Sequence, residues 1–436
     1  LEEESVKRRY LAAIAVIAAL VIAGCSSSGG GSNGNQTSGG SKTLTVWLMD
    51  GSAPNDLVAG LNTEFQAAHP GVTVNYQVQK WDGILDKLTT ALASNTTPDV
   101  IELGNTQAAN FSSSGGLRDL SDKATDLGSQ GWLQGMTESG QWQGKQFAVP
   151  FYSANRFVIY RSDLFQKAGI TTPPTSIDEW IKDGQKLAAA NKSNKSFMPL
   201  YLPGQNWYFL ASQIWDQGGD LAVKNGDKWQ GALDTPQAEA GIKAYQDIYK
   251  AMSKAPADTD EANPQQMDVF AKGNVAMMIG LTWEMNGALD ANKSLKGKIG
   301  TFPVPSHVAG QTAPVFLGGS DLAIPAGSKN QDLAYDWLKL MLSQKYQTQL
   351  SKQNGAIPAT ASIAQTTLGS DPLLGAMVKS SANGKITPND KSWAAVEASP
   401  NPLKDMLTKV LSGQASIDAA AKEASALIGQ KMASSS

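Results

Sequence analysis

Between Thr43 and Leu103 the hydrophobic period of the chain alternates, and that alternation narrows the choice of fold more than any other feature. Thr43-Leu44-Thr45-Val46-Trp47-Leu48 is a β-rich run. Leu57, Val58, Leu61 and Phe65 then recur at the spacing of one helix face, until Pro70-Gly71 stops the stripe. Val72 to Val78 alternates as a strand does, Ile84, Leu85, Leu88 and Leu92 repeat the helical stripe, and Pro98-Asp99-Val100-Ile101-Glu102-Leu103 is a third strand. Strand, helix, strand, helix, strand requires parallel crossovers, hence an α/β sheet covered on both faces. A second α/β region is expected after Pro150. It has a strand at Phe157 to Arg161, a helix entered through Pro173-Pro174-Thr175-Ser176 with Ser176 and Glu179 as a capping box, and helical periodicity over 234–253 and 331–351. The stretch beyond Lys42, about 390 residues, is too long for one core and comfortable for two lobes.

The N-terminal segment places those lobes outside the cytoplasm. Lys7, Arg8 and Arg9 precede a small and apolar run from Leu11 to Ala23, which leads into Gly24-Cys25. A basic head and an apolar stretch short for a bilayer read as a secretory signal. Cys25, the single cysteine, stands directly after it and resembles the bacterial lipobox cysteine, whose thiol is acylated. Ser26 to Ser41 is almost wholly Ser, Gly, Asn, Gln and Thr, a flexible tether. Residues 1–24 are therefore expected to be the lipoprotein signal peptide and 25–42 the tether. The folded body is expected to be extracytoplasmic and lipid-anchored to the outer face of the cell membrane.

In open α/β sheets ligands bind beyond the C-terminal ends of the strands. The segments after the first three strands are Met49-Asp50-Gly51-Ser52, Gln79-Lys80-Trp81-Asp82 and Gly104-Asn105-Thr106. All are polar, and Asp50 and Trp81 are candidate ligand contacts from position alone. Trp283 and Glu284 close the apolar run Met277 to Thr282, and Trp207 with Tyr208 follows Pro203-Gly204-Gln205-Asn206, which reads as a loop. Trp47, Trp132, Trp142, Trp180, Trp215, Trp229 and Trp337 are assigned to packing or surface.

Several stretches together resemble the solute-binding proteins of sugar importers of the ATP-binding-cassette (ABC) type, the group typified by maltose-binding protein. They are Phe65 to Gly71, Pro98-Asp99-Val100, Gly144 to Phe165, Lys167 to Ile170, Pro174 to Trp180, Phe270 to Met277, Gly318 to Pro325 and Ser328-Lys329-Asn330. The resemblance implies a two-lobed periplasmic-binding-protein fold, α/β and class II-like, with discontinuous lobes closing on a sugar. By it the N-terminal lobe comprises 43–153 and 316–360 and the C-terminal lobe 154–315 and 361–436. Crossings are expected near Phe151 to Ala154 and Val315 to Ser320, with a return near Ile357 to Ala359. The family pattern adds Asn105, Thr106, Tyr152, Asn155, Arg156, Gly319, Ser320, Asp321 and Trp393 to the sugar-binding candidates, and it supports Trp207, Tyr208, Trp283 and Glu284. It also implies ABC permease subunits as partners, a monomer, and a di- or oligosaccharide ligand.

The chemistry suits that ligand. An indole or phenol plate covers the C–H face of a sugar ring, while carboxylates, amides and guanidinium forks take its hydroxyl rim. Lys+Arg 36 against Asp+Glu 39 leaves no electrostatic footprint for nucleic acid. Two histidines, His69 in a helix-ending His-Pro-Gly and His307 standing alone, with no nucleophile or metal motif, call for no catalytic residue, metal or cofactor. A glycoside hydrolase needs only two carboxylates, and Glu284 beside Trp283 would be its suspect residue. A binding protein for polyamines or peptides would share the fold but want an acidic or backbone-lined cleft. A surface adhesin or chaperone lipoprotein would present an open patch instead of a closing cleft.

Overall fold

The computed structural model describes residues 42–434 apart from positions 82 and 95. The signal segment 1–24, Cys25 and the tether through Ser41 lie outside the described residues. Lys42, expected at the end of the tether, is already the first residue of β1 (Lys42–Met49), paired with Val72.

The alternation of periods becomes a parallel sheet. β1 buries Leu44, Val46 and Leu48 and lies between β2 (Val72–Gln79) and β3 (Val100–Gly104), parallel to both. The intervening helices are α1 (Asn55–Ala68) and α2 (Ile84–Leu92). The α1 stripe Leu57, Val58, Leu61 and Phe65 is wholly buried, each side chain contributing about 1.5–3 kcal/mol by leaving water. Strands from distant parts of the chain then complete the sheet.

β4 (Ala148–Ala154) crosses to β5 (Phe157–Arg161) through Asn155 and Arg156 alone. β5 belongs to a second, four-stranded sheet with β6 (Met198–Tyr201), β7 (Val275–Gly280) and β8 (Ile299–Phe302), in the order β8-β5-β7-β6. Every residue of β7 is buried, because both faces of this sheet are covered. β9 (Gly318–Ala323) returns to the first sheet antiparallel to β3 and β4, and β10 (Ile357–Pro358) pairs with β4 at the edge, giving the order β10-β4-β9-β3-β1-β2. The result is two α/β lobes with separate cores. One centres on Leu48, Phe65, Phe151 and Trp337, the other on Trp180, Phe209, Tyr245 and Trp393.

Three local expectations change. The periodicity over 331–351 is two helices, Gln331–Met341 and Gln344–Asn354, separated at Leu342-Ser343, where the Ser343 hydroxyl caps the second by accepting from the Tyr346 N–H. Ser176 caps its helix by accepting from the Glu179 N–H, but the Glu179 carboxylate turns to the N–H and hydroxyl of Thr175, so only half of the box forms. His307 does not stand alone; its Nδ1 lies 2.9 Å from the buried Asp216 carboxylate. Among the described residues, no helix is long and apolar enough to cross a membrane.

Candidate functional site

The segments that leave β1, β2 and β7 converge on one cavity of about 440 Å³. Asp50, Gly51 and Ser52 follow β1, Trp81 follows β2, Tyr152 and Ala154 lie on β4, and Leu281, Thr282 and Trp283 follow β7. Asn354-Gly355-Ala356 closes the ring from the end of the second of the two helices. The walls thus come from both sheets. Trp81 and Trp283 are 43% and 50% exposed, among the few large apolar side chains left in solvent, and both face this space. An indole left exposed at a cavity is a plate without a partner. Gly355 takes the left-handed conformation with φ +65°, and a Cβ there would stand 2.4 Å from the Thr282 methyl, so glycine keeps this wall open.

The floor is polar and ordered from beneath. Glu102, on β3 and fully buried, accepts from the Met49 N–H at 2.8 Å and from the Ser52 hydroxyl at 2.7 Å. Ser52 also meets the Tyr152 hydroxyl at 3.1 Å, and Ser320 donates to Tyr152 at 3.2 Å. Burial pushes the Glu102 carboxyl up to about 7 against the pull of these hydrogen bonds. Asn354 donates its amide protons to the carbonyls of Gly51 and Ser52 at 3.1 and 3.0 Å.

Of the residues expected from sequence, Asp50, Trp81, Tyr152 and Trp283 line the cavity. A second set gathers where the lobes touch. Thr106 donates to Glu397 at 3.3 Å, and the Trp393 indole N–H donates to the same carboxylate at 2.9 Å. Glu397 keeps partial surface exposure, yet the protein crowded around it pushes its carboxyl up to about 7. Arg156 pairs with Glu261 at 2.8 Å and lies over the Tyr208 ring at 4.1 Å, and Tyr208 stacks on Trp207 at 4.0 Å.

The remaining candidates make contacts within the fold and do not line the cavity. Asn105 donates to the Leu317 carbonyl and Asn155 to the Met377 carbonyl, both from buried positions. Gly319, Ser320 and Asp321 lie on β9. Ser320 and Asp321 are fully buried, and Asp321, held by Ser139, is pushed up to about 7 by burial. Glu284 is buried and caps its helix, one oxygen accepting from the Leu281 N–H and the other from Gln266. With both oxygens engaged away from the cavity, it does not hold the position of a hydrolase acid. Trp207, expected in an exposed loop, is instead the buried first residue of the helix Trp207–Asp216, which Asn206 caps by accepting from the Phe209 N–H. Trp393, a candidate from the family pattern, opens the short helix Trp393–Glu397 and is 0% exposed, because helix Ile417–Ser434 packs over it.

Sequence reasoning placed Ser52 in a candidate segment without singling it out, and missed Thr282, Asn354 and Glu102. The one available signal was the carboxylate inside the apolar run Val100 to Leu103, since a charge in a central strand needs partners. Two roomier hollows of about 580 Å³ each contain no indole, one beside Tyr160, Asp163 and Lys298, the other beside Gln134, Glu138 and Lys385. Among the described residues, no group of His, Cys, Asp or Glu is arranged to hold a metal ion.

Residues 48–348 match the family described as bacterial extracellular solute-binding protein. The chain is 40% identical over 418 residues to the diacetylchitobiose binding protein DasA of Streptomyces coelicolor, covering 95% of this chain and 96% of the relative. It is 27% identical over 364 residues to a maltooligosaccharide ABC transporter solute-binding lipoprotein of Streptococcus pneumoniae, covering 82% of each. Among solved structures, the sugar-binding protein MalE of Xanthomonas citri superposes with a TM-score of 0.78 at 22% identity, over 90% of this chain and 98% of that one, a likeness of fold.

Proposed function

Because the chain belongs to the bacterial extracellular solute-binding proteins, we propose that it captures a di- or oligosaccharide between its lobes and delivers it, unreacted, to the permease of an ABC importer. One observation carries the reading. Two half-exposed indoles, Trp81 and Trp283, enter a single cavity from different sheets, with Asp50, Ser52, Tyr152 and Asn354 as the polar rim. Plates for ring faces and oxygens for hydroxyls are the two things a sugar needs from a site.

Asp50, Trp81, Tyr152 and Trp283 are the first sugar contacts. Thr106, Arg156, Tyr208 and Trp393 form a second region at the lobe contact, reached as the lobes part. Asn105, Asn155, Trp207, Glu284, Gly319, Ser320 and Asp321 hold the frame. The lobes are 43–153 with 316–360, and 154–315 with 361–436. The chain acts as a monomer, tethered at the outer face of the membrane through lipid on Cys25. Among the described residues Asp50 is the one carboxylate lining the cavity, a poor match for a polyamine.

The ligand classes named for relatives, diacetylchitobiose, maltooligosaccharide and mannitol, give the first probes, with a polyamine as the contrasting one. Diacetylchitobiose, maltotriose, mannitol and spermidine are compared by thermal shift, because a ligand that binds only the folded chain raises its melting temperature by mass action. A shift with a saccharide is expected. A shift with spermidine alone, or with none of the four, overturns the reading.

A further inference from the structure

The oxygens around the cavity share a property that no single residue announces: every proton they carry is already committed elsewhere. The Ser52 hydroxyl gives its proton to Glu102 at 2.7 Å, so at its 3.1 Å contact with Tyr152 it must accept. Tyr152 therefore donates inward, to Ser52 or to Glu102 at 3.5 Å, while accepting from Ser320. Burial and the neighbouring carboxylate push the Tyr152 phenol well above its ordinary range, which keeps that proton in place. Asn354 faces two carbonyls, which only accept, so both of its amide protons are used and its Oδ1 remains. The Thr282 hydroxyl lies 3.2 Å from the Met377 sulfur, a thioether with no proton to offer, so Thr282 donates there. Asp50 completes the ring as a carboxylate.

We infer that Glu102 is a positioning residue that draws the floor hydroxyl protons inward, so that every side-chain oxygen at the cavity presents lone pairs and the site selects its ligand by the hydroxyl and amide N–H groups the ligand donates. The inference rests on the reading of this cavity as the saccharide site and deepens it. It assigns the ligand class as one that turns several donors toward Asp50, Ser52, Tyr152, Thr282 and Asn354, as a free-hydroxyl or N-acylamino sugar does and an O-alkylated one does not. Among the described residues, the side-chain donors left at the cavity are the two indole N–H groups. A site built to receive a donor penalises a ligand that lacks it, because the buried acceptor is then left without a partner.

Glu102 can act this way only while it is ionised and purely an acceptor. Once protonated it must donate to one of its partners, and one floor hydroxyl then turns its own proton toward the cavity. The titratable groups facing it are Tyr76 from β2 and Tyr152 from β4, alongside the neutral hydroxyls of Ser52 and of Ser320 from β9, and Asp50 from the turn after β1 acts on Tyr76 in turn. With its carboxyl pushed up to about 7, the change from acceptor to donor falls between pH 8.5 and pH 5.5.

The test compares wild type with Glu102→Gln, whose amide supplies at every pH the donor that a protonated carboxyl supplies only in acid. Diacetylchitobiose is titrated calorimetrically into both proteins at pH 8.5 and 5.5. Wild type is expected to bind about tenfold more tightly than the variant at pH 8.5, the worth of one hydrogen bond, with the ratio collapsing toward one at pH 5.5. Taking the ratio cancels every other titrating group. An equal ratio at both pH values, or equal affinity at pH 8.5, overturns the inference. A neutron structure of the wild type, grown above pH 8, tests it without any ligand and without a variant that has to fold. Deuterons on Ser52 and Tyr152 directed toward Glu102 are expected, and a deuteron on either one directed into the cavity overturns the inference. Failure of the wild type to bind any saccharide sinks the capture reading instead, and the neutron density still decides the direction of the protons.

Discussion

Trp283 stands half in solvent at the start of its helix, so its removal from the free protein costs little buried area. If it covers a sugar ring in the complex, that same face becomes buried there, and the two states respond differently to its loss. Trp283→Ala is expected to weaken saccharide binding by more than about tenfold, the worth of a stacked aromatic contact, while moving the melting temperature of the free protein by no more than a degree or two. Calorimetric titration and a ligand-free melt check both halves. Affinity held with stability lost would make the indole a packing residue. At this scale the sequence was legible where position alone decides the role. Asp50 and Trp81 follow parallel strands, and the C-terminal end of such a strand is where a ligand sits. Burial was not legible for Trp207 and Trp393, because what covers Trp393 is a helix that begins at Ile417, a partner no local pattern names. Ser52 shares the positional signal of Asp50 but its side chain alone announces no role, and Thr282 and Asn354 carry no local signal.

At the scale of elements, the crossing strand β9 carries the tightest demand. Gly319 has φ +140°, and a Cβ built there would stand 2.2 Å from the Tyr152 carbonyl, closer than any real contact. Expected from the family pattern as a sugar contact, this glycine instead lets β9 and β4 approach just where both leave the first lobe. Gly319→Ala is expected to cost about 3 kcal/mol through backbone strain and steric overlap, and to lower binding by displacing Tyr152. Chemical denaturation measures the first effect, and an unchanged midpoint would show that the strand pair has room to give. The parallel half of this sheet was legible because its pattern is local, strand and helix in turn. Its antiparallel half was reached only through family resemblance, since β9 and β10 pair with β4 across more than a hundred residues of intervening chain. The break at Ser343 escaped notice for a related reason: the apolar stripe continues in register across it, and the capping hydroxyl is a weak local cue.

For the whole molecule, the contact between lobes contains a carboxylate, Glu397, whose titration is expected to change when the lobes part. Glu397 accepts from Thr106, which follows a strand of the first sheet, and from Trp393 on its own helix. With the lobes together its carboxyl is pushed up to about 7, first by loss of water and against those two hydrogen bonds. With the lobes apart, water would return to it and its titration would fall back toward the ordinary carboxylate range near 4.3. The raised value belongs to the closed form, so that form binds a proton more tightly. Closure is then favoured fully below the ordinary value and loses that advantage as pH rises through about 7. The closed-to-open ratio of the ligand-free chain is therefore expected to be higher at pH 5 than at pH 8, by up to about eightyfold between values of about 7 and 4.3, and Glu397→Gln, neutral throughout, to flatten the dependence. Small-angle scattering across that range reads the radius of gyration directly. The residue also sits beside Tyr208, whose phenol it pushes further up, and Arg156 acts on Tyr208 in the opposite sense. A radius that stays constant with pH in wild type, or that varies equally in the variant, would show that this carboxylate does not report on closure.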